Sequence, residues 1–187
     1  MYIRKDKYFN KAKQEGYRGR AAYKLLQIQK KYNIIKPKSN VLDIGCAPGA
    51  WLQVAKKLTS GFILGVDIVS IEPLEGIEFI KGDILEEETQ NKITQPFDVV
   101  LSDIAPKTTG IKKLDQEISY DLSLMSLEVA KQHLKKSGNF IVKTFQGNQT
   151  NELVKEAKKY FELVKIHTPE ATREGSKEVY IIALKKK

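Results

Sequence analysis

The chain has one cysteine, two histidines and no long hydrophobic run, and each shortage removes a class of function. Cys46 alone makes no intrachain disulfide and no Cys-x-x-Cys pair, which fits a reducing compartment. His133 and His167 lack Cys, Asp or Glu partners at ligand spacing, so no metal site is expected. No apolar stretch reaches the ~18 residues of a membrane span, and Met1 to Lys7 lacks the apolar centre of a secretory leader. A cytoplasmic protein without membrane contact is expected. Two nucleotide signatures are missing as well: neither G-x-G-x-x-G nor G-x-x-x-x-G-K-[ST] occurs. A grip on a pyrophosphate is therefore not expected.

What is present is an apolar strand, Val41 to Ile44, running into Gly45-Cys46-Ala47-Pro48-Gly49 and then a helix from about Trp51. Gly45 and Gly49 let the backbone turn sharply beside a ligand, and the helix start offers unpaired N–H groups. With the diphosphate motifs excluded, the ligand this turn suggests is a nucleoside-type cofactor, of which S-adenosylmethionine (SAM) is the commonest.

The net charge of +9 is unevenly placed. Residues 1–38 hold 12 Lys/Arg against Asp6 and Glu15, a net of +10, and the other 149 residues hold a net of −1. Tyr2, Tyr8, Phe9, Tyr17 and Tyr23 are interleaved with these cations. Charge binds phosphates and rings stack on bases, so a nucleic-acid-binding extension is expected here, with Arg4, Lys5, Lys7, Lys11, Arg18 and Arg20 as candidate contacts. The extension includes one helix, from about Gly19 to Tyr32. Ala21, Leu25, Ile28 and Tyr32 share its packing face, and Arg20, Lys24, Gln27 and Lys31 share a face expected to be free for a partner.

Beyond residue 38 strands and helices alternate with short connections, the order of an α/β domain. Strands are expected at 41–44, 62–66, 77–80, 97–101, 140–144, 163–167 and 179–184, and helices at 51–58, 86–93, 120–136 and 151–160. Gly138 reads as the C-cap of the third of these helices and Thr150 as the N-cap of the fourth. One domain, 1–187, is expected. In such a sheet ligands collect at the carboxyl ends of the strands. Asp43, Asp67, Asp83 and Asp103 all stand there. Asp67, after the second strand, suits the two ribose hydroxyls of a nucleoside, and Asp83, after the third, suits an adenine amino group.

Seven blocks in order carry a resemblance: Arg18 to Leu25, Asp43 to Trp51, Gly65-Val66-Asp67, Gly82-Asp83-Ile84, Ser102 to Pro106, Phe140 to Gly147 and Arg173 to Tyr180. With them the chain resembles the FtsJ-like RNA ribose 2′-O-methyltransferases over nearly its whole length. The resemblance implies a Rossmann-like SAM-dependent methyltransferase fold: a seven-stranded, mostly parallel sheet with the last strand antiparallel and helices on both faces. It implies a catalytic tetrad at Lys24, Asp103, Lys143 and Glu178, and cofactor contacts at Gly45, Pro48, Gly49, Trp51, Asp67, Asp83, Ile84 and Asp103. Departures are Gly19, Cys46 and Ala50-Trp51-Leu52, where the family commonly has Ser, Ala and Gly-Trp-Ser. The implied reaction is SAM-dependent methylation of a ribose 2′-hydroxyl by a monomer acting on RNA. A uridine of large-subunit ribosomal RNA is the first expectation, and transfer RNA the alternative. A catalytically idle RNA-binding module or a small-molecule methyltransferase remains the other class of reading.

The chemistry explains such a tetrad. A sulfonium is already a good leaving group, so the protein must mainly align the 2′-oxygen with the methyl carbon and ease loss of its proton. Lys143 is the residue expected beside that oxygen, as a base when neutral or as a clamp on the nascent alkoxide when charged.

Overall fold

The structure is a computed structural model describing residues 7–106 and 108–187. Its elements are α1 (Lys7–Gln14), α2 (Ala21–Tyr32), β1 (Val41–Ile44), α3 (Ala50–Leu58), β2 (Ile63–Asp67), β3 (Glu78–Lys81), α4 (Glu87–Asn91), β4 (Phe97–Ser102), α5 (Lys112–His133), β5 (Leu134–Phe145), α6 (Thr150–Tyr160), β6 (Phe161–His167) and β7 (Glu178–Lys186). The strands form one sheet in the order β3-β2-β1-β4-β5-β7-β6. β1 pairs parallel with β2 and β4, and β7 enters antiparallel between β5 and β6. Among the described residues no helix is long and apolar enough to cross a membrane.

Central strands covered on both faces must be apolar on both. All four residues of β1 are buried, including Asp43. The period of two then sorts side chains by face. Val41, Val99, Leu101, Ile141, Tyr180 and Ile182 pack under α2 and α3 with Leu25, Ile28 and Leu52. Leu42, Ile44, Val100, Phe140, Val142 and Ile181 pack under α5 and α6 with Leu127 and Leu153. Because β7 runs backwards, its first residues lie at the same sheet edge as the carboxyl ends of β1, β4 and β5. By the same alternation Asp43, Asp103, Lys143, Glu178 and Tyr180 share that edge on the α2–α3 face.

Several local expectations are corrected. The basic segment contains a second helix, α1, which the sequence pattern did not announce: its one buried residue, Ala12, packs with Tyr23 and Ala171. Tertiary contact rather than periodicity fixes so short a helix. The face of α2 expected to be free is covered at Arg20, Lys24 and Gln27, and only Lys31 is exposed. Lys24 is buried, Gln27 donates to the Tyr8 hydroxyl at 3.2 Å and accepts from Ala171 N at 2.9 Å, and Arg20 donates to the Ala171 carbonyl. α1 and the segment after β6 cover that face.

α5 runs over Lys112–His133, not 120–136. It starts earlier because Asp115 accepts from Thr109 N at 2.7 Å and Thr109 Oγ1 at 2.8 Å, folding the preceding loop onto its first turn. It ends earlier because Leu134 turns extended and pairs with Phe97. Gly138 is thus no helix cap. It lies in β5 at the register shift opposite Phe97–Val99, where a Cβ would come within 2.9 Å of the Lys135 carbonyl. Thr150 is the first residue of α6 rather than its N-cap, and its hydroxyl accepts from Gly147 N at 2.9 Å.

Candidate active site

The turn after β1 is held by contacts that leave no room for side chains. Gly45 has φ +69°, and a Cβ on it would sit 2.1 Å from Ile104 Cγ1. Gly49, at φ +104°, precedes the first residue of α3 and donates to the Cys46 carbonyl at 2.6 Å. Asp67 braces the same turn: one carboxylate oxygen accepts from Ala47 N and the other from Val69 N, both at 2.8 Å. Each oxygen keeps a further lone pair. Arg18 closes the turn from outside, donating to the carbonyls of Pro48 (3.1 Å), Glu72 (2.6 Å) and Pro73 (3.0 Å).

Two hollows open on this turn. The larger, of about 480 Å³, is lined by Gly45, Ala47, Asp67, Asp83, Ile84 and Asp103, with Ile68, Val69 and Leu85 at its rim and Leu122 and Met125 behind. Such a volume suits a small-molecule cofactor. Ile68, Val69 and Leu85 are 65%, 56% and 61% exposed, an apolar lip that a flat ring would cover. No Lys or Arg lines it among the described residues, so it offers acids and apolar surface rather than a phosphate grip. The smaller hollow, about 40 Å³, is lined by Asp43, Pro48, Trp51 and Ala21. Gly45, Ala47 and Asp103 line both. Trp51 is 2% exposed and donates from Nε1 to the Ala21 carbonyl at 2.8 Å, tying α3 to α2.

The four tetrad positions converge as two ion pairs beside these hollows. Lys143 Nζ, 5% exposed, lies 3.0 Å from Asp103 Oδ1 and 2.5 Å from the Asp103 carbonyl. Lys24 Nζ lies 2.6 Å from Glu178 Oε2. Tyr180 stands between the pairs: its hydroxyl donates to Asp103 Oδ1 at 2.7 Å, its ring centroid is 5.8 Å from Lys24 Nζ, and it packs on Trp51. It is directly opposite Lys143 in the β5–β7 ladder. Burial, together with Asp103 and Glu178, holds its phenol well above the usual range. The sequence pattern assigns Tyr180 no role, since an aromatic in an apolar strand looks like core. Asp43 is also buried, and among the described residues neither of its oxygens has a hydrogen-bond partner. Burial first, then the neighbouring Asp103 and Asp67, raise its carboxyl well above the ordinary value.

Of the other expected positions, Asp83 accepts from Leu85 N at 2.9 Å at the mouth of the larger hollow, and Ile84 forms part of its wall. Among the expected RNA contacts, Lys7 and Lys11 lie on α1, where Lys11 is 3.7 Å from Glu15 and 5.0 Å from the Tyr23 ring centroid. Arg18 and Arg20 spend hydrogen bonds on backbone carbonyls, and Arg4 and Lys5 lie outside the described residues.

Comparison with known proteins gives this geometry its context. The profile of the FtsJ-like methyltransferase family matches residues 17–186. A ribosomal RNA large subunit methyltransferase E from Methanothrix thermoacetophila is 49% identical over 97% of this chain and 72% of its own length. One of the same name from Archaeoglobus fulgidus is 46% identical over 97% of this chain and 96% of its own. A crystal structure from Plasmodium falciparum, described as a candidate ribosomal RNA methyltransferase, superposes with a TM-score of 0.82 at 32% identity. It covers 91% of this chain and 98% of that one.

Proposed function

The chain belongs to the FtsJ-like methyltransferase family, and we propose that it transfers a methyl group from SAM to a ribose 2′-hydroxyl of large-subunit ribosomal RNA. The observation that carries the reading is the Lys143–Asp103 pair, whose Asp103 lines both hollows. One residue, Asp103, then touches both the cofactor's space and the group that handles the acceptor.

SAM, when bound, supplies a methyl group on a positively charged sulfur. The pocket suits it: Asp67 and Asp83 are placed for the ribose and adenine, Gly45 and Gly49 for close backbone approach, and Pro48 and Trp51 for the wall of the smaller hollow. The acids also favour a cationic ligand. Lys143 donates one hydrogen bond to the Asp103 carbonyl and pairs with the Asp103 carboxylate at 3.0 Å, leaving a hydrogen-bonding position for the acceptor oxygen. Asp103 and Tyr180 fix where that position points. At the 2′-oxygen Lys143 takes the departing proton or holds the developing negative charge, and either lowers the barrier. Lys24, held by Glu178, places a second positive group at the site for the adjoining phosphate. The relatives' names favour ribosomal over transfer RNA as substrate.

Incubating the protein with labelled SAM and, separately, large-subunit ribosomal RNA and bulk transfer RNA from cells lacking it tests the reading. Label is expected in the ribosomal RNA, at one nucleotide. Label in transfer RNA alone would replace the substrate, and label in neither would remove the activity.

A further inference from the structure

Asp43 takes no part in the chemistry above. It lies in the middle of the sheet, 1% exposed, on the face covered by α2 and α3, and its carboxyl borders the smaller hollow with Ala21 and Trp51. Among the described residues no donor reaches either oxygen. A carboxylate with no hydrogen bond in such a place is costly, and a proton is the simplest relief. The charged groups around it do not supply another. From the turn after β1 comes Cys46, whose thiol is pushed up by burial and by Asp43 and Asp67 and so stays neutral. From β2 comes Asp67 and from the end of β4 comes Asp103, both acids. Among the described residues, the two lysines of the neighbouring cluster are paired elsewhere, Lys143 on β5 with Asp103 and Lys24 on α2 with Glu178. Tyr180 on β7 donates to Asp103.

Resting on the SAM reading above, we propose that Asp43 carries a proton in the cofactor-free protein and releases it when the ammonium group of the cofactor's zwitterionic amino-acid end enters the smaller hollow. Cofactor binding is thereby coupled to loss of one proton. The balance is simple: the Asp43 O–H bond breaks, the proton leaves to solvent, and the carboxylate left behind pairs with the cofactor's ammonium group, which keeps its own protons. The direction in which burial and the two neighbouring acids move this carboxyl agrees. Two consequences are linked. Affinity rises with pH, by up to tenfold per unit while Asp43 is protonated in the free protein. An Asn at this position accepts a hydrogen bond but has no proton to give.

The test is calorimetry of S-adenosylhomocysteine, which has the same amino-acid end and cannot turn over, near pH 7 in two buffers of different ionisation enthalpy. The expected result is close to one proton released per ligand bound by the wild type and none by Asp43→Asn, with weaker binding by the variant. Infrared difference spectroscopy on the wild type needs no variant: a protonated-carboxyl band should disappear on binding. Binding with no proton released and no such band lost overturns the proposal and leaves the SAM reading standing. Release that persists undiminished in Asp43→Asn assigns the proton to another group and also overturns it. Failure of both SAM and its product to bind overturns the SAM reading, and the proposal with it.

Discussion

Asp103 is bonded to Lys143 and Tyr180 and lines both hollows, so the two hollows and the Lys143 ion pair cannot be altered independently there. Asp67 lines only the larger hollow, although it also braces the glycine turn. Asp67→Ala removes the expected partner of two cofactor hydroxyls and should weaken SAM binding by about 1–3 kcal/mol. Calorimetry on the folded variant checks this, and an unchanged affinity would move the ribose elsewhere. Asp43 makes a prediction about stability. Its folded-state carboxyl is raised, so its contribution is fully present below the unfolded-state value near 4 and is lost as pH rises toward the folded value. At neutral pH Asp43→Asn should therefore raise the melting temperature of the cofactor-free protein, by roughly 2–4 °C for each kcal/mol recovered. Melting temperatures of the two proteins at pH 5 and pH 8 should differ more at the higher pH, and an equal difference at both would contradict the assignment. At this scale the positions of the acids were legible: Asp43 and Asp67 fall in the last two residues of β1 and β2, and Asp83 and Asp103 just beyond β3 and β4. Tyr180 was not legible, because hydrophobic alternation describes an inward aromatic without showing where its hydroxyl points.

Elements were legible where one periodicity governed them. β1, β4 and α3 fall within a residue of the expected bounds because apolar runs and the glycine turn define them. α1, the ends of α5 and the cap of α6 were not, since each depends on a contact from elsewhere in the chain: Ala171 on α1, the Thr109–Asp115 bonds, the β4–β5 register shift and the Gly147 turn. α2 shows the same lesson. Its composition suggested part of a basic extension, yet Leu25 and Ile28 are completely buried against the sheet and Lys24 pairs with Glu178 of β7. Leu25→Ala should then cost about 2–5 kcal/mol, the loss expected for a core leucine. Denaturant unfolding measures it, and a cost below about 0.5 kcal/mol, the range of an exposed surface substitution, would mean that α2 is an appendage after all.

On the scale of the whole molecule, the positive charge lies on one N-terminal fifth of the chain while the other 149 residues are nearly neutral. Lys24 joins the two, since it belongs to that fifth and pairs with Glu178 of β7. RNA affinity should consequently fall steeply with salt. Replacing Lys5, Lys7 and Lys11 by Ala should flatten the slope of log affinity against log salt by up to about 2, at ~0.7 for each phosphate that is no longer neutralised. Filter binding across a salt series reads it, and an unchanged slope would place the phosphate-binding cations off α1 and the segment before it. Architecture and family were legible in the sequence because seven ordered motifs lie on one strand-helix alternation, and the sheet order agrees with them.

The central claim is that Lys143, held by Asp103 and Tyr180, handles the 2′-oxygen of a ribose. Nucleoside mass spectrometry of RNA methylated by the wild type and by Lys143→Ala tests it most directly, with SAM and RNA binding measured in parallel. The account predicts a 2′-O-methylated nucleoside from the wild type and none from the variant while both ligands still bind, the pattern of an interaction made only in the transition state. A methyl group on a base, or ribose methylation by Lys143→Ala at near the wild-type rate, would contradict it.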